Sequence, residues 1–224
     1  TVISVNRNLH QWAQEYLKAK QYRYLANFAS LDTTTLKTTR LQGQNEKRIL
    51  CLANLRSQKD HLNLLKAFKM VQEKHIDWSL HIVGFDFKDA YANEIKSYLK
   101  AYHLNACVFL YGSCADTRYI LEQATIGVLA SKSEGLPVAL LEYGLAKLPV
   151  VVTNVGECGT VVKNLESGMV VPPNNADKLS EALMYLIENE RKQKVFGENL
   201  YKNVLLNYSQ NTFITQLTAI YQLE

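Results

Sequence analysis

Ser131-Lys-Ser-Glu134-Gly-Leu-Pro137-Val-Ala-Leu-Leu-Glu142-Tyr-Gly-Leu-Ala-Lys-Leu-Pro149-Val-Val-Val-Thr153 runs from a loop, through one helix, into a buried strand. Pro137 suits the first turn of a helix, where its missing N–H costs nothing. The apolar residues after it read as that helix, and Pro149-Val-Val-Val as the next strand. Upstream, Ile126-Gly-Val-Leu-Ala130 is a short apolar strand that delivers the chain into the loop. Glu134 therefore stands at the helix mouth and Glu142 about a turn inside. Free backbone N–H groups lie between them, and such a helix start seats a phosphate. One carboxylate could accept bonds from sugar hydroxyls and the other from those of a ribose. Taken alone, Glu142 reads as a solvated helix position, because an eight-residue spacing arises by chance.

Outward from this stretch the same strand–helix alternation repeats. Strands are expected at 49–53, 78–83, 107–111, 126–130, 150–152 and 169–171. Helices are expected at 60–74, 90–102, 117–123, 177–189, 191–206 and 210–223. Continuous apolar strands alternating with amphipathic helices specify an α/β fold with a doubly wound, Rossmann-like parallel sheet. Residues 1–35 differ: a strand at 2–5, a helix at 9–18 and a strand at 22–26. Thr33 to Thr39 and Gly43-Gln-Asn45 then read as a linker.

At 224 residues the chain suits one ordinary domain, or one domain with part of another. No run of 18 apolar residues is present, so no membrane-spanning helix is expected. The N-terminus carries no signal-peptide pattern. Cys51, Cys107, Cys114 and Cys158 are scattered, with no C-x-x-C pair, which reads as reduced thiols in a cytoplasmic protein. The net charge is +4, and residues 1–48 hold eight basic and three acidic residues. That stretch suits an anionic membrane surface or an acidic acceptor; the plainer reading is a solvated face. An isoelectric point near 8.7, without a nucleic-acid motif, excludes nucleic acid as the expected partner.

The E-x7-E string in this setting resembles the retaining glycosyltransferases of group 1, also called family four, which have the two-domain GT-B fold. The resemblance covers nearly all of this chain but roughly half of a whole enzyme. It implies that 46–224 is the C-terminal domain that binds a nucleoside-diphosphate sugar. Residues 1–45 would be the tail end of the N-terminal acceptor domain plus the linker. The implied reaction moves a sugar from that donor to an acceptor hydroxyl with retained anomeric configuration, the departing phosphate taking the acceptor's proton.

The resemblance also assigns residues. Glu134 lies near the donor sugar, and the backbone of Gly135, Leu136, Pro137 and Val138 lines the sugar and phosphate pocket. Glu142 holds the ribose hydroxyls. After the first strand, Ala53-Asn-Leu-Arg-Ser-Gln-Lys-Asp60 stands where the family shows G-R-L-x-x-x-K-G. Lys59 matches the phosphate-gripping Lys, Asn54 replaces the Arg and Asp60 the Gly, and Arg56 could supply the missing cation. Gly84 and Gly112 end strands, and Tyr111-Gly112-Ser113 would pass beside the nucleobase. Other departures are Thr160, where a Glu is common, and Ala146-Lys147-Leu148, where the family has a Gly before the proline. No metal is expected and no cofactor beyond the donor substrate. The acceptor, a saccharide, glycolipid or glycoprotein, would be held by the missing domain, with peripheral membrane contact conceivable. A nucleotide-sugar epimerase of related architecture and a non-catalytic sugar-nucleotide module are the alternatives; the E-x7-E string with Lys59 favours the transferase.

Overall fold

The computed structural model describes residues 1–31 and 34–222. Thr33 of the expected linker and Leu223 of the expected last helix lie outside the described residues. The main sheet has six strands: β3 (Arg48–Leu52), β4 (Ser79–Val83), β5 (Val108–Leu110), β6 (Ile126–Leu129), β7 (Val150–Thr153) and β8 (Met169–Val171). All pairs are parallel, in the order β5-β4-β3-β6-β7-β8. Successive side chains of a strand point to opposite faces, so a sheet covered on both sides needs apolar residues throughout. In β3, Ile49 and Cys51 face one core and Leu50 the other; in β7, Val151 faces the first, Val150 and Val152 the second.

Helices α2 (His61–Lys74), α3 (Ala90–Ala101) and α7 (Ala176–Ile187) cover the first face with Leu64, Phe68, Ile95 and Leu183. The second is covered by α4 (Thr117–Glu122), α5 (Val138–Leu145), α6 (Cys158–Val161) and α8 (Glu190–Asn207), through Ile120, Leu140, Leu141, Leu200 and Val204.

A separate two-stranded parallel sheet precedes the main one: β1 (Val2–Ser4), α1 (Arg7–Tyr16) and β2 (Tyr22–Tyr24). Asn6 caps α1, its Oδ1 accepting from the Leu9 N–H at 2.8 Å, so the helix starts two residues before the expected Leu9. The C-terminal helix α9 (Gln210–Gln222) returns to this unit, Phe213 meeting Phe28 with ring centroids 4.8 Å apart. Asp116, nearly inaccessible, gathers the connecting segment: one oxygen accepts from the N–H groups of Thr38 and Thr39 and the other from the Thr39 hydroxyl, each at 2.7 Å.

Each expected strand and helix is present, with ends shifted by a residue or two. Two 3-10 turns, at 57–59 and 104–106, and the four-residue α6 were not expected. Segments so short carry no periodicity. Helix α2 starts at His61 because Asp60 adopts a left-handed conformation, φ 50° and ψ 47°.

Candidate active site

The strand order reverses between β3 and β6: β4 and β5 build outward from β3 on one side, β7 and β8 from β6 on the other. Loops leaving these two strands diverge, and a crevice opens at their carboxyl ends, where ligands of such sheets bind. Both stretches singled out in the sequence arrive there. A cleft of about 360 Å3 is lined by Asn54, Lys59, Gly84, Ser113, Pro137, Val138 and Glu142, together with Leu52, Ala53, Val83, Cys114, Thr117 and Ala139. A larger cavity, about 520 Å3, lies near Arg48, Thr125 and Pro149 at the opposite ends of the strands, and none of the expected site residues lines it.

Lys59 is the only cation among the lining residues. It donates from Nζ to Glu134 Oε1 at 2.6 Å, and the Ser131 hydroxyl donates to the same oxygen at 2.6 Å. The Glu134 side chain is 7% exposed and that of Lys59 20%. The loops carrying them are stitched together, the Lys132 N–H donating to the Gln58 carbonyl at 2.8 Å and Lys132 Nζ standing 3.2 Å from Asp60 Oδ1. Asp60 holds the left-handed turn that a glycine would hold without cost, and Asp is among the few other residues that visit this region. The departure from the family's Gly therefore leaves the placement of Lys59 intact.

Glu142 differs from Glu134. It lines the cleft, it is half-buried, and among the described residues nothing bonds its carboxylate. Burial raises its pKa above the usual carboxylate range. Helix α5 starts on the cleft wall with no side chain capping it, and Val138 at its first position is exposed.

Asn54 lines the cleft, but its Oδ1 is engaged by the Phe85 N–H at 2.7 Å, holding the loop after β4. Arg56 is exposed and outside the lining, its guanidinium 4.5 Å above the Phe87 ring. Gly84 lets β3 and β4 end in close contact, since a Cβ there would overlap the Ala53 carbonyl. Gly112 has φ 69° and serves the turn. Glu134, Gly135 and Leu136, expected at the pocket, are not among the lining residues; a Cβ on Gly135 would come within 2.7 Å of Asn6 Nδ2. Tyr111 is built into the fold, its hydroxyl accepting from the Gln42 N–H and meeting His81 Nδ1 at 3.0 Å.

Glu157 was not singled out in the sequence. It is 4% exposed and accepts from the Arg7 N–H at 2.6 Å and the Tyr24 hydroxyl at 2.8 Å, while its own N–H donates to the Gly135 carbonyl at 2.8 Å. One residue thus ties the N-terminal unit to the loop of Glu134. Its neighbour Gly156, at φ 53°, lies against the carbonyls of Glu134 and Gly135, where any side chain would clash. The only sequence signal was that glycine.

Two histidines are disarmed by burial: His61 is lowered to about 4 and His81 to about 3. Burial likewise pushes Cys51 and Cys158 up to about 12. Among the described residues no group of three His, Cys, Asp or Glu gathers as for a metal ion, and no helix is long and apolar enough to cross a membrane.

Residues 32–203 match the family model of glycosyl transferases group 1. The chain belongs to that family. Among curated group relatives, an uncharacterized glycosyltransferase of Haemophilus influenzae is 30% identical over 180 residues, 79% of this chain and 48% of that protein. The lipopolysaccharide core mannosyltransferase LpcC of Rhizobium leguminosarum is 22% identical over 173 residues, 76% of this chain and 49% of that one. The chain thus spans about half the length of these relatives. A solved glycosyltransferase of Rickettsia africae superposes with a TM-score of 0.85 at 21% identity, covering 99% of this chain and 62% of that one. Anabaena HepE, solved with UDP and glucose, superposes with the same score at 17% identity and the same coverage. The doubly wound sheet of this group 1 chain is the fold of these glycosyltransferases.

Proposed function

We propose that residues 46–224 are the donor-binding domain of a retaining glycosyltransferase, and that residues 1–45 close its acceptor-binding domain. The observation that carries this reading is that Lys59 and Glu142 line one cleft at the switch point of the sheet, with Glu134, outside the lining, bonded to Lys59. Their roles follow from their surroundings. Glu142, unpartnered and half-desolvated, accepts the two ribose hydroxyls. Lys59 exchanges some or all of its bond to Glu134 for a phosphate oxygen and stabilises the charge that develops on the departing diphosphate. The uncapped start of α5 gives the diphosphate further N–H donors. Glu134, so released, faces the sugar with Gly135 behind it. No side-chain base is needed where the leaving phosphate takes the acceptor's proton, and no metal takes part.

UDP is the first probe, since HepE and Staphylococcus aureus TarM were both solved with it. The acceptor is a saccharide, glycolipid or glycoprotein held by the other domain, and the basic N-terminal stretch brings the protein to an anionic membrane on its cytoplasmic side. One observation favours a second reading, a binding module without chemistry: Asn54 is engaged with Phe85 and Arg56 rests on Phe87, which leaves a single cation in the cleft.

The test is a thermal-shift titration with UDP, GDP and ADP. At ten times its dissociation constant a ligand adds about 1.4 kcal/mol, a rise of about 3–5 °C for this size. A rise with one diphosphate, lost in Glu142→Ala, supports the donor site. No rise with any of them, in this chain or in one carrying both domains, refutes it. Transfer of sugar by the two-domain protein, absent in Lys59→Ala, separates the transferase from the module.

A further inference from the structure

Strand β3 pairs with β4 at five positions but with β6 at only two, Ile49 with Ile126 and Leu50 with Gly127. The β3–β6 ladder stops short of the crevice, and a side chain stands where its next bond belongs. The hydroxyl of Tyr143, on α5, accepts from the Leu52 N–H at 2.6 Å and donates to the Leu50 carbonyl at 3.1 Å, with the Val128 carbonyl of β6 at 3.4 Å. A phenol is thus inserted between two strands that would otherwise bond directly. Gly127 makes room for it, since a Cβ there would lie 2.9 Å from the Tyr143 ring. Tyr143 is fully buried, and that burial holds its pKa far above the ordinary value, so the hydroxyl both donates and accepts at any working pH.

We infer that Tyr143 is a positioning residue for the donor cleft: a hydroxyl rung that ends the β3–β6 ladder and fixes the separation of the two cleft walls. The inference rests on the donor-site reading above. Tyr143 adjoins Glu142 on α5, and Leu52 leads directly into Ala53 and Asn54; Leu52 and Glu142 both line the cleft. One hydroxyl therefore locks the wall that carries the ribose acceptor to the strand end that leads to Lys59. A rung that joins the strands beneath the crevice must change the ligand's fit, whereas a tyrosine that merely fills the core would change stability alone.

Tyr143→Phe keeps the ring and removes the rung. Amide exchange at Leu52 should quicken at least tenfold while Ile82 in β4 is unchanged, and the dissociation constant for UDP should rise about tenfold, equivalent to 1.4 kcal/mol. Gly127→Ala perturbs the same rung from the other side, by pushing on the ring, and should weaken UDP in the same direction. Ile95→Ala, a destabilising change on α3 outside the cleft lining, is the control, and all titrations are run well below each variant's melting midpoint. Wild-type binding of UDP with unaltered affinity in Tyr143→Phe overturns the rung and leaves the donor site standing, as does an equal loss in Ile95→Ala. Absence of nucleotide binding by the wild-type chain and by the two-domain protein overturns the donor site and this inference together.

Discussion

Replacing Lys59 by Met removes the cation from a carboxylate that has little else. Glu134 is 7% exposed and, among the described residues, would keep only the Ser131 hydroxyl. Breaking a buried pair from one side costs about 3–5 kcal/mol, because a charge is left behind. Lys59 is one-fifth exposed, and water can enter the space it vacates, so a loss of about 2–3 kcal/mol is expected, an adjustment for partial solvent screening. At about 2–4 °C per kcal/mol for a chain this long, the melting midpoint should fall by roughly 4–12 °C. Glu134→Gln leaves the more exposed partner, whose ammonium can turn to solvent, and should cost about 1 kcal/mol. The double variant has no stranded charge and should melt within a few degrees of wild type. The assay is a double-mutant cycle by thermal or urea unfolding, which isolates the coupling between the pair. Additive losses in the double variant, or a Lys59→Met midpoint equal to wild type, would refute the view that these groups depend on each other.

Glu142→Gln should raise the melting midpoint at pH 7 while weakening UDP. A pKa raised in the fold means that ionisation opposes folding above the unfolded value of about 4.3, so the gain should shrink to nothing as pH falls below about 4, and an equal gain at pH 3.5 and 7 would rule out this cause. Gly84→Ala should destabilise by about 1–3 kcal/mol through overlap with the Ala53 carbonyl and also impair UDP binding; Gly112→Ala, with nothing within 4 Å of its added carbon, should cost only the strain of its positive φ. Glu157→Ala should leave the Arg7 N–H and Tyr24 hydroxyl without their acceptor, at about 1–3 kcal/mol. Amide exchange should then quicken across β1–α1–β2, with β3, β4 and β6 unchanged.

The main sheet was legible because its strands are apolar on both faces and each is followed by an amphipathic helix. The crevice was legible in part: strand ends marked the loops, and the resemblance to the family picked Asn54, Lys59, Gly84, Ser113 and Glu142, which line one cleft. What stayed hidden depends on pairs distant in sequence. That Lys59 meets Glu134 requires the register of two loops 75 residues apart. Tyr143 reads as one more core aromatic until its hydroxyl is seen between β3 and β6. Asp60 could be noted as a departure from glycine, but its left-handed backbone, which keeps the turn intact, could not be read from composition. Arg56 shows the converse: charge and nearness in sequence suggested a phosphate ligand, and the nearby ring of Phe87 holds it elsewhere.

Glu157 has a mechanical meaning beyond its bonds. Its carboxylate grips the start of α1 and the end of β2, and its backbone grips Gly135. Any tilt of the N-terminal unit is therefore transmitted, like the throw of a crank, to the loop that carries Glu134. Such a joint makes the placement of Glu134, and of the Lys59 ammonium bonded to it beside the cleft, depend on where the N-terminal unit stands.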